Sequence, residues 1–349
     1  MADAPLTERE HAILEAVIRT YVETAEPAGS RMVARRFRLG ISPATVRNTM
    51  SDLEEKGYLY HPHTSAGRVP TDLAYRLYVD SLMRRQPVSP RERVEIRRQL
   101  ESGGEGAAIE HLLRRAAQVL GLLTQELGIA VTPHLDDATL ERLDLVPIHE
   151  AKVLLVLTLR AAGVRTIYVD VPAVIPPSTL VSVARILNDR LGGLKLREIR
   201  ATLPERLRDS APADEPGAGE LLNVFVQGAE ELFTGPGVPG TDLHLGRASV
   251  LAEQPEFSSG ERLRGLIELT ERRDLLKQVL GARADDGLHV TIGVEHGDPA
   301  LSDFTVVTSQ YQSAGLKGVI GVIGPTRMPY DRVIALVEST SNLISEFLA

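Results

Sequence analysis

The sequence predicts an α+β protein whose N-terminal part is a small helical module closed by a hairpin, and three observations carry that prediction. Two short helical patterns flank a tight glycine-containing turn near Gly40, and a short hairpin pattern follows at once. Further along, Val-, Ile- and Leu-rich strand patterns joined by short turns lie among amphipathic helices, which favours antiparallel neighbours. The positive charge is local: Arg31 to Ser51 holds five arginines and no acid. Together the two helices, the turn and the hairpin describe a winged helix-turn-helix.

The first helix begins after Thr7, an N-cap with Glu10 three residues on, and its apolar face is Ile13, Leu14, Val17, Ile18 and Tyr21. It stops before Glu26-Pro27, because the residue ahead of a proline avoids helical angles. The second runs from an N-cap at Ser30 to about Leu39, with Gly40 free to turn left-handed. The third starts at Ser42-Pro43 and ends near Lys56. Val46, Met50 and Leu53 form its core stripe. At about 100° per residue, Ala44, Asn48 and Ser51 then point away from the core, flanked by Thr45 and Arg47. Such a small, polar, basic face fits a major groove, where Arg reads guanine and Asn reads adenine, and the helix N-terminus at Ser42 favours phosphate. A solvated amphipathic helix would show the same periodicity.

Tyr58–Tyr60 and Arg68–Pro70 read as two strands around the acid-free loop His61–Gly67, a wing. His63, Thr64, Ser65 and Arg68 are candidates for phosphate or minor-groove contact, against the alternative of an ordinary solvated hairpin. A fourth helix, Thr71 to about Arg85, is expected to bury Leu73, Leu77, Tyr78 and Leu82.

After the linker Pro87–Pro90, the pattern gives a helix from about Gly106 to Leu127, a strand at Ile129–Thr132, and strands at Leu143–Ile148, Lys152–Leu159 and Arg165–Val171. Helices follow at Ser178–Leu191 and Glu220–Phe233, separated by the flexible loop Ser210–Gly217. Gly235–Gly240 is a strong break. Then come a helix at Ser259–Leu280, strands at Leu288–Glu295, Asp303–Gln310 and Lys317–Ile323, and a helix at Tyr330–Phe347. Val153–Leu157 is apolar on both faces and needs cover on both, from helices of the same chain or from a second copy.

The net charge of −8 argues at first against nucleic acid, but residues 1–90 hold 12 basic and 11 acidic side chains while the rest hold 27 and 36. A basic face on an acidic body suits a specific DNA binder. With no cysteine there is no disulfide and no thiolate metal site, as expected of a reducing cytoplasm. No apolar run approaches a membrane span, and Met1–Pro5 does not read as a signal peptide. Gly318, Gly321 and Gly324 sit in strand-like sequence ahead of Pro325, unlike a nucleotide loop. His61 and His63 lack a third ligand, and Glu295–Asp298 reads as a strand-to-turn connection. The expectation is no enzyme activity, no cofactor and no metal.

Five segments resemble one known family: Leu6-Thr7-Glu8-Arg9, Glu26-Pro27-Ala28-Gly29-Ser30, Ser42-Pro43-Ala44-Thr45-Val46-Arg47-Asn48, His63 to Thr71, and Gly321 to Tyr330, which ends in Gly324-Pro325-Thr326-Arg327-Met328-Pro329-Tyr330. They are similar to the heat-inducible transcription repressor family (HrcA). Thr49 departs from it, since relatives often carry an acid there. The resemblance implies a homodimer that binds an inverted-repeat operator of chaperone operons and is kept active by the chaperonin. It also implies a GAF-like α+β body interrupted by an inserted dimerisation domain, giving 1–88 for the DNA-binding domain, 89–137 and 238–349 for the body, and 138–237 for the insertion. The alternative is a winged-helix regulator sensing a metabolite in its GAF-like body.

Overall fold

The computed structural model describes residues 5–348 except 39, 64–65, 85, 102–108, 134, 150–151, 161–162, 172–173, 209, 211–214, 234–242, 282–286 and 314–315. The wing residues Thr64 and Ser65, half of the expected loop Ser210–Gly217 and the Gly235–Gly240 break therefore lie outside the described residues. The chain forms two compact units, residues 1–131, 243–310 and 319–344 in the first and 132–242, 311–318 and 345–349 in the second.

The first unit opens with α1 (Glu8–Thr24), α2 (Ser30–Phe37) and α3 (Pro43–Glu55). Thr7 and Glu10 cap α1 reciprocally: the Thr7 Oγ accepts from the Glu10 N–H, and the Glu10 carboxylate accepts from the Thr7 N–H at 2.7 Å. Ile13, Leu14, Val17 and Ile18 are fully buried, as are Val46 and Leu53 of α3. The cap of α2 is Gly29, one residue earlier than expected, so Ser30 is already helical. Left-handed residues at Arg38 and Gly40 turn the chain from α2 into α3.

Next come β1 (Leu59–Tyr60) and β2 (Val69–Pro70), paired antiparallel. Ala28 and Arg68 exchange both backbone hydrogen bonds, at 2.8 and 3.0 Å, which adds the α1–α2 loop to the base of the wing. α4 (Asp72–Leu77) continues into a π-helical turn, Tyr78–Leu82. Its buried residues are Ala74, Tyr75 and Tyr78, whereas Leu73 is 46% exposed and Leu77 and Leu82 are only partly covered. The expected burial holds for Tyr78, is only partial for Leu77 and Leu82, and is wrong for Leu73. Tyr75 packs on Tyr330 with ring centroids 5.7 Å apart, and Leu73 lies about 200° round the helix from it.

The expected linker ends in a helix, α5 (Pro90–Glu101), started by a second reciprocal cap between Ser89 and Glu92. α6 (Ile109–Thr124) lies against β3 (Leu127–Val131), a strand buried at every residue. Gly128 runs so close to the Ala117 carbonyl that any Cβ would collide with it.

The chain then builds the second unit: β4 (Thr139–His149), β5 (Lys152–Arg160), β6 (Gly163–Asp170), α7 (Pro177–Leu191), α8 (Leu196–Leu207), α9 (Ala218–Gln227) and α10 (Ala229–Phe233). The strands form an antiparallel meander with Leu145, Leu155 and Ile167 in register. Val153, Leu155, Leu157 and Leu159 face a core shared with Val183, Leu187, Ile199, Leu203 and Phe225. The alternate residues of β5 face the other way, beside exposed Val146, Val164 and Tyr168. Among the described residues, only one of the two apolar faces is covered from within this unit.

Returning to the first unit, the chain forms β7 (Leu243–Leu245), α11 (Ser249–Ala252), α12 (Gly260–Glu271), α13 (Arg273–Gly281), β8 (Leu288–Ile292), β9 (Phe304–Ser313), β10 (Leu316–Pro325) and α14 (Tyr330–Phe347). The single helix expected at Ser259–Leu280 is broken at Arg272. Strand order is β7-β3-β10-β9-β8, with β3 antiparallel to both neighbours. Helices and an antiparallel sheet make this an α+β chain.

Candidate nucleic-acid interface

The outward side of α3 is set by its start. Ser42 is extended, its Oγ accepts from the Thr45 N–H at 3.1 Å, and Pro43 supplies the first helical φ. With the phase fixed there, Val46, Thr49, Met50 and Leu53 are buried, and Ser42, Ala44, Arg47 and Asn48 are exposed. Thr45 is half-buried, and its hydroxyl lies 3.0 Å from Ser42 Oγ. Ser51 is half-buried as well: its hydroxyl donates to the Arg47 carbonyl at 3.3 Å and lies 3.4 Å from an Arg68 guanidinium nitrogen.

Arg68 sits differently from the solvent-facing phosphate contact expected of it. It is buried, and its guanidinium pairs with Glu54 of α3 at 2.7 Å. The same carboxylate meets His61 Nδ1 at 3.1 Å, so Glu54 holds both arms of the wing onto α3. His63 is exposed in the wing loop. The structure therefore gathers Ala44, Arg47 and Asn48 on one open surface, keeps Ser42, Thr45 and Ser51 in local bonds at its edge, and turns Arg68 inward.

Two further exposed cations outside the predicted set lie on α2. Arg31 and Arg35 on α2, like Arg47 on α3, are exposed with no carboxylate partner among the described residues, and Arg31, Met32, Arg35 and Arg36 line a shallow hollow of about 440 Å³. Arg36 is occupied by Glu23, and both Arg19 and Arg36 lie over the Phe37 ring, 5.6 and 5.7 Å from its centroid. The signal for Arg31 and Arg35 was present in the acid-free arginine stretch. Among the described residues no three His, Asp or Glu side chains are grouped to hold a metal, and no helix is long and apolar enough to cross a membrane.

Residues 110–334 match the family described as HrcA protein C terminal domain. The heat-inducible transcription repressor HrcA of Chlorobium phaeobacteroides (strain BS1) is 39% identical over 99% of this chain and 99% of its own length. This chain belongs to the HrcA family of heat-inducible transcription repressors. The HrcA of Roseiflexus castenholzii (strain DSM 13941 / HLO8) is 34% identical over 99% of this chain and 95% of its own. Because these HrcA relatives align over nearly the whole chain, the likeness includes α3 and the wing, which lie ahead of the matched C-terminal domain. A crystal structure of a hypothetical protein, 24% identical and covering 99% of both chains, shares the fold with a TM-score of 0.58.

Proposed function

We propose that this HrcA chain represses chaperone operons in the cytoplasm by binding, as a homodimer, an inverted-repeat operator with α3 in the major groove. The observation that carries the reading is the outward face of α3. Arg47 and Asn48 stand exposed, with no side-chain partner among the described residues, beside the small Ala44, on a helix whose other side is locked into the module core. Arg31, Arg35 and His63 extend that face toward phosphates, and the N-terminus of α3 after Ser42 adds a partial positive charge. Thr64 and Ser65 complete the wing contact. Arg68 acts from beneath by shaping the wing.

The dimer is assigned to the insertion, residues 138–237, through the outer face of the β4–β6 meander. That face carries Val146, Leu154, Val156, Val164 and Tyr168, and two-fold pairing of it matches a two-fold operator. Tyr168→Glu is expected to give monomers in sedimentation. The flanking segments 89–137 and 238–349 are read as one GAF-like body, and its dependence on the chaperonin rests on the family resemblance.

The deciding experiment is a footprint on DNA upstream of the host's chaperonin genes, with a scrambled sequence of equal composition as control and with chaperonin titrated in. Two protected half-sites, strengthened by chaperonin, are expected. Equal binding to the scrambled DNA at every chaperonin level would overturn the proposal.

A further inference from the structure

The ladder of the wing is short. β1 and β2 pair as Leu59 with Pro70 and Tyr60 with Val69, and Pro70 has no N–H to give. Two such pairs do not hold a hairpin in water on their own. The support comes from below. Gly67 passes so close to the Ala28 backbone that any Cβ would collide with it, and the Ala28–Arg68 exchange fixes one arm to the α1–α2 loop. The Thr71 hydroxyl donates to the Gly57 carbonyl at 2.8 Å and closes the base of the hairpin.

Glu54 completes the frame from α3. One carboxylate oxygen meets His61 Nδ1 at 3.1 Å, directly after β1, and the other meets Arg68 Nη2 at 2.7 Å, directly before β2. The same Arg68 nitrogen donates to Ser51 Oγ at 3.4 Å, one turn earlier on α3, and Ser51 donates to the Arg47 carbonyl. A side chain of the helix that carries Arg47 therefore grips both arms at the neck of the wing loop. Two arginine ties join the module to the body instead. Arg327 Nη1 donates to the Val22 carbonyl of α1 at 2.7 Å and the rest of its guanidinium forks onto Glu256, and Arg76 of α4 places Nε 2.8 Å and Nη2 2.6 Å from the carboxylate oxygens of Glu295. Neither tie involves α3 or the wing.

We propose that Glu54 is a positioning residue: without touching DNA itself, it holds His61 and Arg68 with the two oxygens of one carboxylate and so sets where the wing meets the duplex when α3 lies in the major groove. The chemistry suits that role. A guanidinium–carboxylate pair fixes direction as well as distance, and a second partner on the other oxygen stops the carboxylate from turning. A free acid beside a duplex repels phosphate, whereas Glu54 spends its charge on Arg68. A misplacement of about 1 Å is enough to loosen a directional contact. The inference rests on the reading of α3 and the wing as the DNA-binding surface and does not depend on the dimer.

The test uses full-length protein on the operator, with scrambled DNA as control. Guanine N7 methylation reports on the major groove, and hydroxyl-radical cleavage reports on the sugars along the backbone and minor groove. The sugars whose protection is lost in His63→Ala mark the wing contact. Glu54→Gln keeps the side chain's shape and removes its charge. It is expected to lose the same sugar protection, to keep guanine protection, and to bind about fivefold more weakly, the worth of roughly one hydrogen bond. Simple electrostatics gives the opposite sign, since removing an acid favours DNA. Asp52→Asn, the same charge change at an exposed position of α3, is therefore expected to bind as tightly as the parent or more tightly. Full sugar protection in Glu54→Gln, tighter binding in both variants, or a His63→Ala footprint matching the parent's overturns the positioning role. Equal loss of both kinds of protection means that Glu54 merely stabilises the module, and overturns it too. Should Arg68 without its partner unfold Glu54→Gln, His61→Ala, which leaves that pair intact, is expected to show the same split. A parent that binds scrambled DNA equally overturns the function reading instead, and the grip is then read without DNA. In His61→Ala, amide exchange at residues 58–71 should quicken while that of α3 holds, and exchange equal to the parent's refutes the grip.

Discussion

Arg68 and Glu54 form a 2.7 Å ion pair that ties β2 to the C-terminal half of α3, and the Arg68 side chain is only 11% exposed. A guanidinium so placed has given up most of its water for one carboxylate. Arg68→Ala is expected to lower stability by about 1–3 kcal/mol, because it leaves Glu54 without its partner and the wing without its anchor. The salt dependence of DNA binding should change by much less than the roughly one unit that a lost phosphate contact gives. Thermal unfolding with a salt titration checks both. An unchanged melting temperature together with a slope reduced by one would return Arg68 to the DNA backbone.

Arg47 and Arg31 should behave in opposite ways. Arg47→Ala is expected to remove about 1–3 kcal/mol of discrimination at one base position while leaving stability within about 0.5 kcal/mol of the parent. Arg31→Ala should weaken binding to all sequences alike and lower the salt slope by about one. Binding measured on a panel of single-base operator variants separates the two. A uniform loss from Arg47→Ala would remove it from base reading.

Burial pushes the Glu126 carboxyl well above the usual carboxylate range, although Gln254 donates to it at 3.2 Å and the Arg327 charge acts in the opposite sense. The folded chain therefore keeps this proton when the unfolded chain, at about pH 4.3, has begun to release it. The stabilising contribution is complete below that pH and fades as pH rises toward the folded-state value. Glu126→Gln should accordingly melt higher than the parent at pH 8, with the gap closing toward pH 4. A gap independent of pH would mean that the carboxyl is not held protonated.

Glu10 shows the reverse sign. The Lys56 ammonium at 2.6 Å and the Thr7 N–H hold its carboxyl below the usual range. Its contribution is present above about pH 4.3 and is lost as pH falls through the lower folded-state value. Thr7→Ala, which breaks the reciprocal cap, is expected to cost about 1 kcal/mol at neutral pH. Glu10→Gln should flatten the acid side of a stability–pH curve. If that limb is as steep in the variant, other carboxylates govern it.

Where a local rule sets the outcome, the sequence was readable. The Ser42-Pro43 cap and the stripe Val46, Met50, Leu53 gave α3, its phase and its outward face, because a cap and a 3.6-residue period suffice to orient a helix. The same kind of cap, Ser89 with Glu92, marked α5, but the prolines beside it read as a linker. The body strands apart from β7, which was missed, were legible as alternating or continuous apolar runs. α8 was missed, although Leu196, Ile199 and Leu203 at helical spacing all turn out to be buried.

By itself, then, the sequence determined most element types, the outward face of α3 and the family to which the chain belongs, since each depends on near neighbours or on motif identity. Tertiary structure alone decided which side of α4 is buried, that Arg68 turns inward to Glu54, and that Arg327 and Arg76 join the DNA-binding module to the body. Those outcomes depend on pairing between residues as far apart as Val22 and Arg327. A side chain's choice between water and a distant partner is settled only when folding brings that partner within reach.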